Sequence, residues 1–230
     1  MKFLTKNSIF FILVFGFYAC TKDTSKTPLS VYCNIINEKI YSFSRLSDFE
    51  KKKFDKLKQS RFHKYEDDFY EAAEKFGVEW ELLAAVAFQE SQWNPKARSA
   101  TQVKGMMMLT LPTAASVGVT NRLDPIQSIY GGAQYIADLK SNNNYGTSSG
   151  DKIAFILASY NLGTTNIRNA INTIGKKPVE VTWLDLEGYL LNLKTSMDSE
   201  NYSRGQQTVD FVERVRDYYY LLLAQNCSDI

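Results

Sequence analysis

The sequence predicts an all-α protein, and three observations predict it. Apolar residues recur at three- and four-residue spacing along most of the chain, alternating strand-like patterns are scarce, and Gly, Asn-Pro or Asp-Pro steps stop or start the periodic stretches. With 230 residues, 44% hydrophobic and 23% charged, the chain can bury a sizeable core in one domain without help from metals or disulfides. The formal charge of +2 includes Lys2 and Lys6, both in a leader expected to be removed. The remainder is neutral and shows no basic stripe of the kind a nucleic-acid binder carries.

The chain opens "MKFLTKNSIFFILVFGFYAC": two lysines, an apolar run from Ile9 to Ala19, then Cys20. That run is too short to span a bilayer and has the layout of a bacterial export signal. Ordinary signal-peptidase cleavage wants small residues at the last and third-last positions of the leader. Ala19 is small and Phe17 is not, so cleavage before a lipidated Cys20 fits better. "FYAC" resembles a lipoprotein signal box with Phe17 in place of the usual leucine, and Thr21 after the cysteine resembles outer-membrane sorting. An uncleaved N-terminal anchor is the alternative. Of the remaining cysteines, Cys33 and Cys227 either pair, closing a long loop worth roughly 2–4 kcal/mol, or stay as two thiols.

Residues 21–30, "TKDTSKTPLS", read as a polar tether, and "DFEKKKFDKLKQ" as a solvated helix. The expected division is a leader over 1–19, a tether and helical extension over 20–60, and the main domain over 61–230. In that domain "YEDDFYEAAEKFG" is a helix stopped by Gly77, and "VEWELLAAVAFQESQW" a helix closed by Asn94-Pro95. A polar connection over 95–104 leads into "GMMMLTLPTAASVGV". "DPIQSIYGGAQYIADLK" is a helix capped by Asp124 with Pro125 at its first position. "DKIAFILASYNLG" and "TTNIRNAINTIG" are helices separated by Gly163. Past a Pro- and Trp-containing region, "QQTVDFVERVRDYYYLLLAQ" is a long terminal helix.

The residue that stands out is Glu90. Ala87, Val86, Leu83 and Leu82 lie three, four, seven and eight positions before it, so it sits on the apolar stripe of its helix, in the last turn. Partial burial and the negative end of the helix dipole both disfavour the anion there, which suits a general acid working near neutral pH. Position alone leaves an alternative open: a carboxylate that turns to solvent or pairs with Lys96 or Arg98.

Motif context bears on that choice. The series Trp80-ELLAAVAFQES-Trp93-NP, then Ala97, Ser99, Gly105-MMMLT, "GGAQYIADL" and "ASYNLG" resembles the family 1 lytic transglycosylase domain, over roughly residues 65 to 225. Its "GMMMLT" and "NYSRGQQTVDFVERV" segments are most similar to the membrane-bound F type of that family, without that type's amino-terminal solute-binding-like domain. The resemblance implies a lysozyme-like (goose-type) helical fold with a substrate cleft. It also implies that Glu90 is the single catalytic acid and that Ser91 supports it. Ser99 would hold the sugar's acetamido group. Met107 and Met108 would line the cleft, Tyr160 and Asn161 would stand beside the acid, and Tyr202 would help close the far wall. Two departures fall nearby: Met108 replaces a common glutamine, and in "SATQVKG" Ala100 and Gln102 replace the usual proline and glycine. If that turn needs positive φ, Gln102 strains it or changes the loop.

The activity implied is cleavage of the β-1,4 bond between N-acetylmuramic acid and N-acetylglucosamine with formation of 1,6-anhydromuramic acid ends. The muramyl acetamido group would take the place of a second carboxylate, as in substrate-assisted glycosidases. Partners would be peptidoglycan glycan strands and, through the N-terminal lipid, the periplasmic face of the outer membrane. The chain would act as a monomer with no cofactor, metal or nucleic acid. A goose-type hydrolase and a non-catalytic peptidoglycan-binding lipoprotein are the alternatives. Other enzyme classes fit worse. The one histidine, His63, lies in a charged stretch; neither HExxH nor G-x-S-x-G appears; and "NNNYG" lacks EF-hand spacing. The run Met106–Met108 serves core packing, with room for one of the three to face the cleft.

Overall fold

The computed structural model describes residues 28–100, 102–193 and 199–227. The leader and Cys20 lie outside them. Ten helices follow in order: α1 (Pro28–Phe43), α2 (Asp48–Ser60), α3 (Glu66–Phe76), α4 (Trp80–Ser91), α5 (Leu111–Ser116), α6 (Pro125–Asn142), α7 (Ser149–Leu162), α8 (Thr164–Ile174), α9 (Trp183–Asn192) and α10 (Ser199–Leu223). Among the described residues β-pairing is limited to two isolated bridges, Arg98–Lys104 and Lys104–Leu109.

α4 is the axis of the fold. Leu82 through Phe88 are seven consecutive buried residues, so the helix is enclosed on every side rather than along one stripe. α3, α6 and α10 pack around it, and α10 also meets α7, α9 and α1. One end of this core is aromatic. The Phe54 ring lies 4.7 Å from Phe88 and 5.2 Å from Trp93, and Tyr218 stacks on Phe54 at 5.4 Å. Phe54 belongs to α2, whose other faces are charged; one fully buried ring fixes this helix to the main core, and the Arg214–Glu50 ion pair ties it to α10. α1 is held separately, through Ile36, Ile40 and Leu223 and a disulfide between Cys33 and Cys227.

Local chemistry explains most boundaries. Asp124 accepts from the Gln127 N–H with Pro125 at the first helical position of α6, and Ser148 with Asp151 forms a capping box at α7. α9, which the periodicity did not mark, is started by a capping box of Thr182 and Asp185. α4 ends at Ser91, two residues short of the expected end at Trp93 before the Asn94-Pro95 step. Gln92 and Trp93 both take left-handed backbone, φ 54° and 55°, because Trp93 must turn inward, where its indole N–H donates to the Ala84 carbonyl at 2.9 Å. None of the described helices is long and apolar enough to cross a membrane.

Candidate active site

Glu90 projects from the last turn of α4 and is half-buried. Protein atoms crowd its carboxyl and push its pKa up to about 8, with burial as the cause. No hydrogen bond or ion pair reaches it among the described residues, and neither Lys96 nor Arg98 pairs with it. No carboxylate of the described residues contributes to its shift either, so among them Glu90 is an isolated acid.

Tyr160, near the end of α7, stands beside it. Its hydroxyl donates to the Met107 carbonyl at 2.7 Å. Its own pKa is raised by burial first, then by the charges of Glu90 and Tyr135. The Tyr135 ring of α6 lies 5.3 Å from that of Tyr160 and borders a cavity of about 360 Å³ reaching to Arg168 and Ser116.

The "GMMM" turn is anchored to this group on three sides. Ser91 donates to the Met106 carbonyl at 2.7 Å and to Ala87 at 3.1 Å, and accepts from the Asn94 N–H at 3.1 Å. Its hydroxyl therefore joins the end of α4 to the turn, and is occupied by backbone rather than open to a ligand. The Met107 N–H donates to buried Ser128 at 3.1 Å. The Met106 and Met107 side chains lie wholly in the core, where Met107 occupies the space a Cβ on Gly132 would need. Only Met108, with left-handed φ 46°, is partly exposed and able to touch a ligand.

Ser99 sits in a tight turn in which its N–H donates to Val103 and its carbonyl accepts from Gln102, both at 3.1 Å. Gln102 has φ 63°, so the left-handed turn is present without glycine. Asn161, the residue after Tyr160, is exposed and accepts from the Thr208 hydroxyl at 2.9 Å, linking α7 to α10. Tyr202 falls in the first turn of α10, and its side chain lies outside the described residues. The structure thus gathers Glu90, Ser91, Met107, Met108 and Tyr160 around one turn, with Ser99 on the hairpin that precedes it. Among the described residues no cluster of three or more His, Cys, Asp or Glu side chains could hold a metal.

Sequence reasoning passed over two arginines that fix this region. Arg122 donates to the carbonyls of Gln102 at 3.0 Å and Leu109 at 2.8 Å, and Arg61 donates to that of Gln92 at 3.1 Å. No spacing signal marks either one, since each acts on backbone carbonyls far along the chain.

The profile of the transglycosylase SLT domain family matches residues 67–181, and the chain belongs to that family. Among curated relatives, it is 39% identical over 196 residues to membrane-bound lytic murein transglycosylase F of Shewanella loihica, covering 82% of this chain and 40% of that protein. It is 40% identical over 174 residues to the protein of the same name from Stutzerimonas stutzeri, covering 74% of this chain and 36% of the other. The chain thus spans about two fifths of the length of these relatives. The crystal structure of an inactive mutant of the lytic transglycosylase Slt from Pseudomonas aeruginosa shares the fold, with a TM-score of 0.51 at 18% identity, covering 70% of this chain and 24% of that one.

Proposed function

We propose that this chain is a peptidoglycan lytic transglycosylase that cleaves the β-1,4 bond between N-acetylmuramic acid and N-acetylglucosamine without water. The observation that carries the reading is the isolation of Glu90: one carboxyl, protonated at neutral pH because burial lifts its pKa to about 8, with no second carboxylate of the described residues acting on it. A one-acid site suits a substrate that supplies its own nucleophiles. Glu90 gives its proton to the glycosidic oxygen, the bond from that oxygen to muramyl C1 breaks, and the N-acetylglucosamine side leaves with a new hydroxyl. The muramyl acetamido oxygen stabilises the cationic C1. Glu90, now a carboxylate, takes the proton of the muramyl C6 hydroxyl as that oxygen bonds to C1. Glu90 ends protonated as it began, and the product carries a 1,6-anhydro ring. An internal hydroxyl has a high effective concentration, so no residue is needed to hold a water. Ser99, Met108 and Asn161 form walls that hold the sugars.

The relatives' name, "membrane-bound", agrees with the amino-terminal sequence, and we place the chain at the periplasmic face of the outer membrane through lipid on Cys20. Labelled palmitate is expected on the wild type and absent from Cys20→Ala; equal labelling rules the anchor out.

Digestion of purified sacculi followed by mass spectrometry of the muropeptides tests the activity. Anhydro ends are expected, with Glu90→Gln reducing them by about a thousandfold. Reducing ends would mean hydrolysis, and unchanged sacculi would mean binding alone. Because the acid must be protonated to act, the rate should fall as pH rises through about 8.

A further inference from the structure

We propose that Arg122 is the positioning residue for the substrate-holding turn of Ser99, supplying by hydrogen bonds the conformational hold that a glycine at position 102 would make unnecessary. The proposal rests on the transglycosylase reading for the identity of the ligand, a muramyl-containing glycan.

The turn stores strain. Gln102 adopts φ 63°, a left-handed conformation disfavoured for any residue with a Cβ. Its N–H donates to Ser99, so the shape of this residue sets where Ser99 stands. What restrains it is Arg122, whose Nη1 carries two hydrogens and donates one to the Gln102 carbonyl and one to the Leu109 carbonyl. Gln102 lies in the Arg98–Lys104 turn that carries Ser99, and Leu109 closes the following Lys104–Leu109 turn that carries Met108, so a single guanidinium nitrogen ties the two successive turns together.

Arg122 is 9% exposed and forms no ion pair among the described residues. A buried cation without a carboxylate is costly, and here its charge is devoted to two loop carbonyls. The platform it stands on is itself rigid. Gln127 Oε1 accepts from Thr120 N–H, Thr120 Oγ1 and Asn121 N–H, and the Arg122 carbonyl occupies the place of a Cβ on Gly105. The same device recurs just after Glu90, where Arg61 holds the carbonyl of left-handed Gln92. Left-handed glutamines thus stand on both sides of the Ser99 hairpin's first arm, each with its carbonyl held by an arginine from elsewhere in the fold.

The test is steady-state kinetics on soluble glycan oligomers of alternating N-acetylglucosamine and N-acetylmuramic acid, with thermal melting to verify folding. Arg122→Gln should raise KM about tenfold with much less effect on kcat, the weight of one charge-assisted hydrogen bond. Adding Gln102→Gly to that variant should recover most of the loss, because glycine holds the turn without strain. Arg122→Lys, which keeps the charge on a single nitrogen, should raise KM about threefold and carries the test if Arg122→Gln does not fold. A folded Arg122→Gln or Arg122→Lys with unchanged KM overturns the proposal, as does a double variant no better than Arg122→Gln. A wild type that releases no anhydro ends instead overturns the transglycosylase reading, and with it the ligand named here.

Discussion

α3 and α4 follow one another in the chain and end in contrasting ways. α3 stops at Gly77, φ 64°, whose N–H closes onto Ala73 and Glu74 with open space around its α-carbon. α4 stops at Gln92 and Trp93, both left-handed and neither a glycine. All four non-glycine residues with positive φ among the described residues fall between positions 92 and 108, the segment that follows Glu90. The first ending is an inexpensive helix stop that any surface helix can use. The second is held by the aromatic core, by Arg61 and by the Ser91 hydroxyl, and the left-handed residues that follow it are held by Arg122 and the hydroxyls of Ser128 and Tyr160. Strain gathered beside an isolated acid, and compensated from four other parts of the chain, is the pattern of a site that requires a particular geometry.

Removing the strongest of those restraints should be the most costly change. Trp93→Ala empties a fully buried position that contacts Phe54, Phe62 and Phe88, and loses the indole bond to Ala84. It should cost about 4 kcal/mol in urea unfolding and free the end of α4. The two glycines come next, and they set the regions directly against each other. Gly105→Ala places a Cβ 1.7 Å from the Arg122 carbonyl at φ 87°, whereas Gly77→Ala meets nothing within 4 Å. We expect about 3 kcal/mol for the first and about 1 kcal/mol for the second, with only the first reducing activity. Equal costs would remove the contrast.

Replacing the acid should act in the opposite direction. Because the folded-state pKa of Glu90 lies above its usual 4.5, the unfolded chain ionises first as pH rises. The penalty to the wild type is therefore absent below about 4.5 and grows up to about 8. Glu90→Gln should unfold at higher denaturant than the wild type at pH 8, by about 2 kcal/mol, with the gap closing near pH 4. A gap that does not change with pH would mean that the folded-state pKa of Glu90 is not raised. The smallest effect is expected from Gln92→Gly, a gain of about 0.5 kcal/mol as the left-handed strain is relieved at an otherwise satisfied helix end.

Much of the framework was legible from the chain. α3, α4, α6 and α7 follow from period and caps, because each joins an apolar pattern to a stop or start signal within a few residues: Gly77, Asp124 with Pro125, Gly163. α9 was missed although Thr182 and Asp185 form a capping box, since Gly188 and the nearby Pro178 obscure its periodicity. Glu90 was legible as a charge on an apolar face, and Met107 and Tyr160 as parts of family motifs. Their division of labour was not. Only packing shows that Met107 offers its carbonyl while its side chain is buried, and that Ser91 is committed to the backbone.

By itself the sequence determined the family and most of the helices, and marked Glu90 as a carboxylate on an apolar face, because those depend on local period, on caps and on motif order. The tertiary structure decided the rest: where α4 ends, which methionine is exposed, and how Gln102 serves in a turn that usually has glycine. Each of these turns on contacts between residues distant in the chain, Arg122 with Gln102 and Leu109, Arg61 with Gln92, Tyr160 with Met107. Left-handed backbone at a residue with a Cβ is disfavoured locally, so nothing near it in sequence can announce it. It persists only where the folded surroundings supply enough hydrogen bonds to hold it.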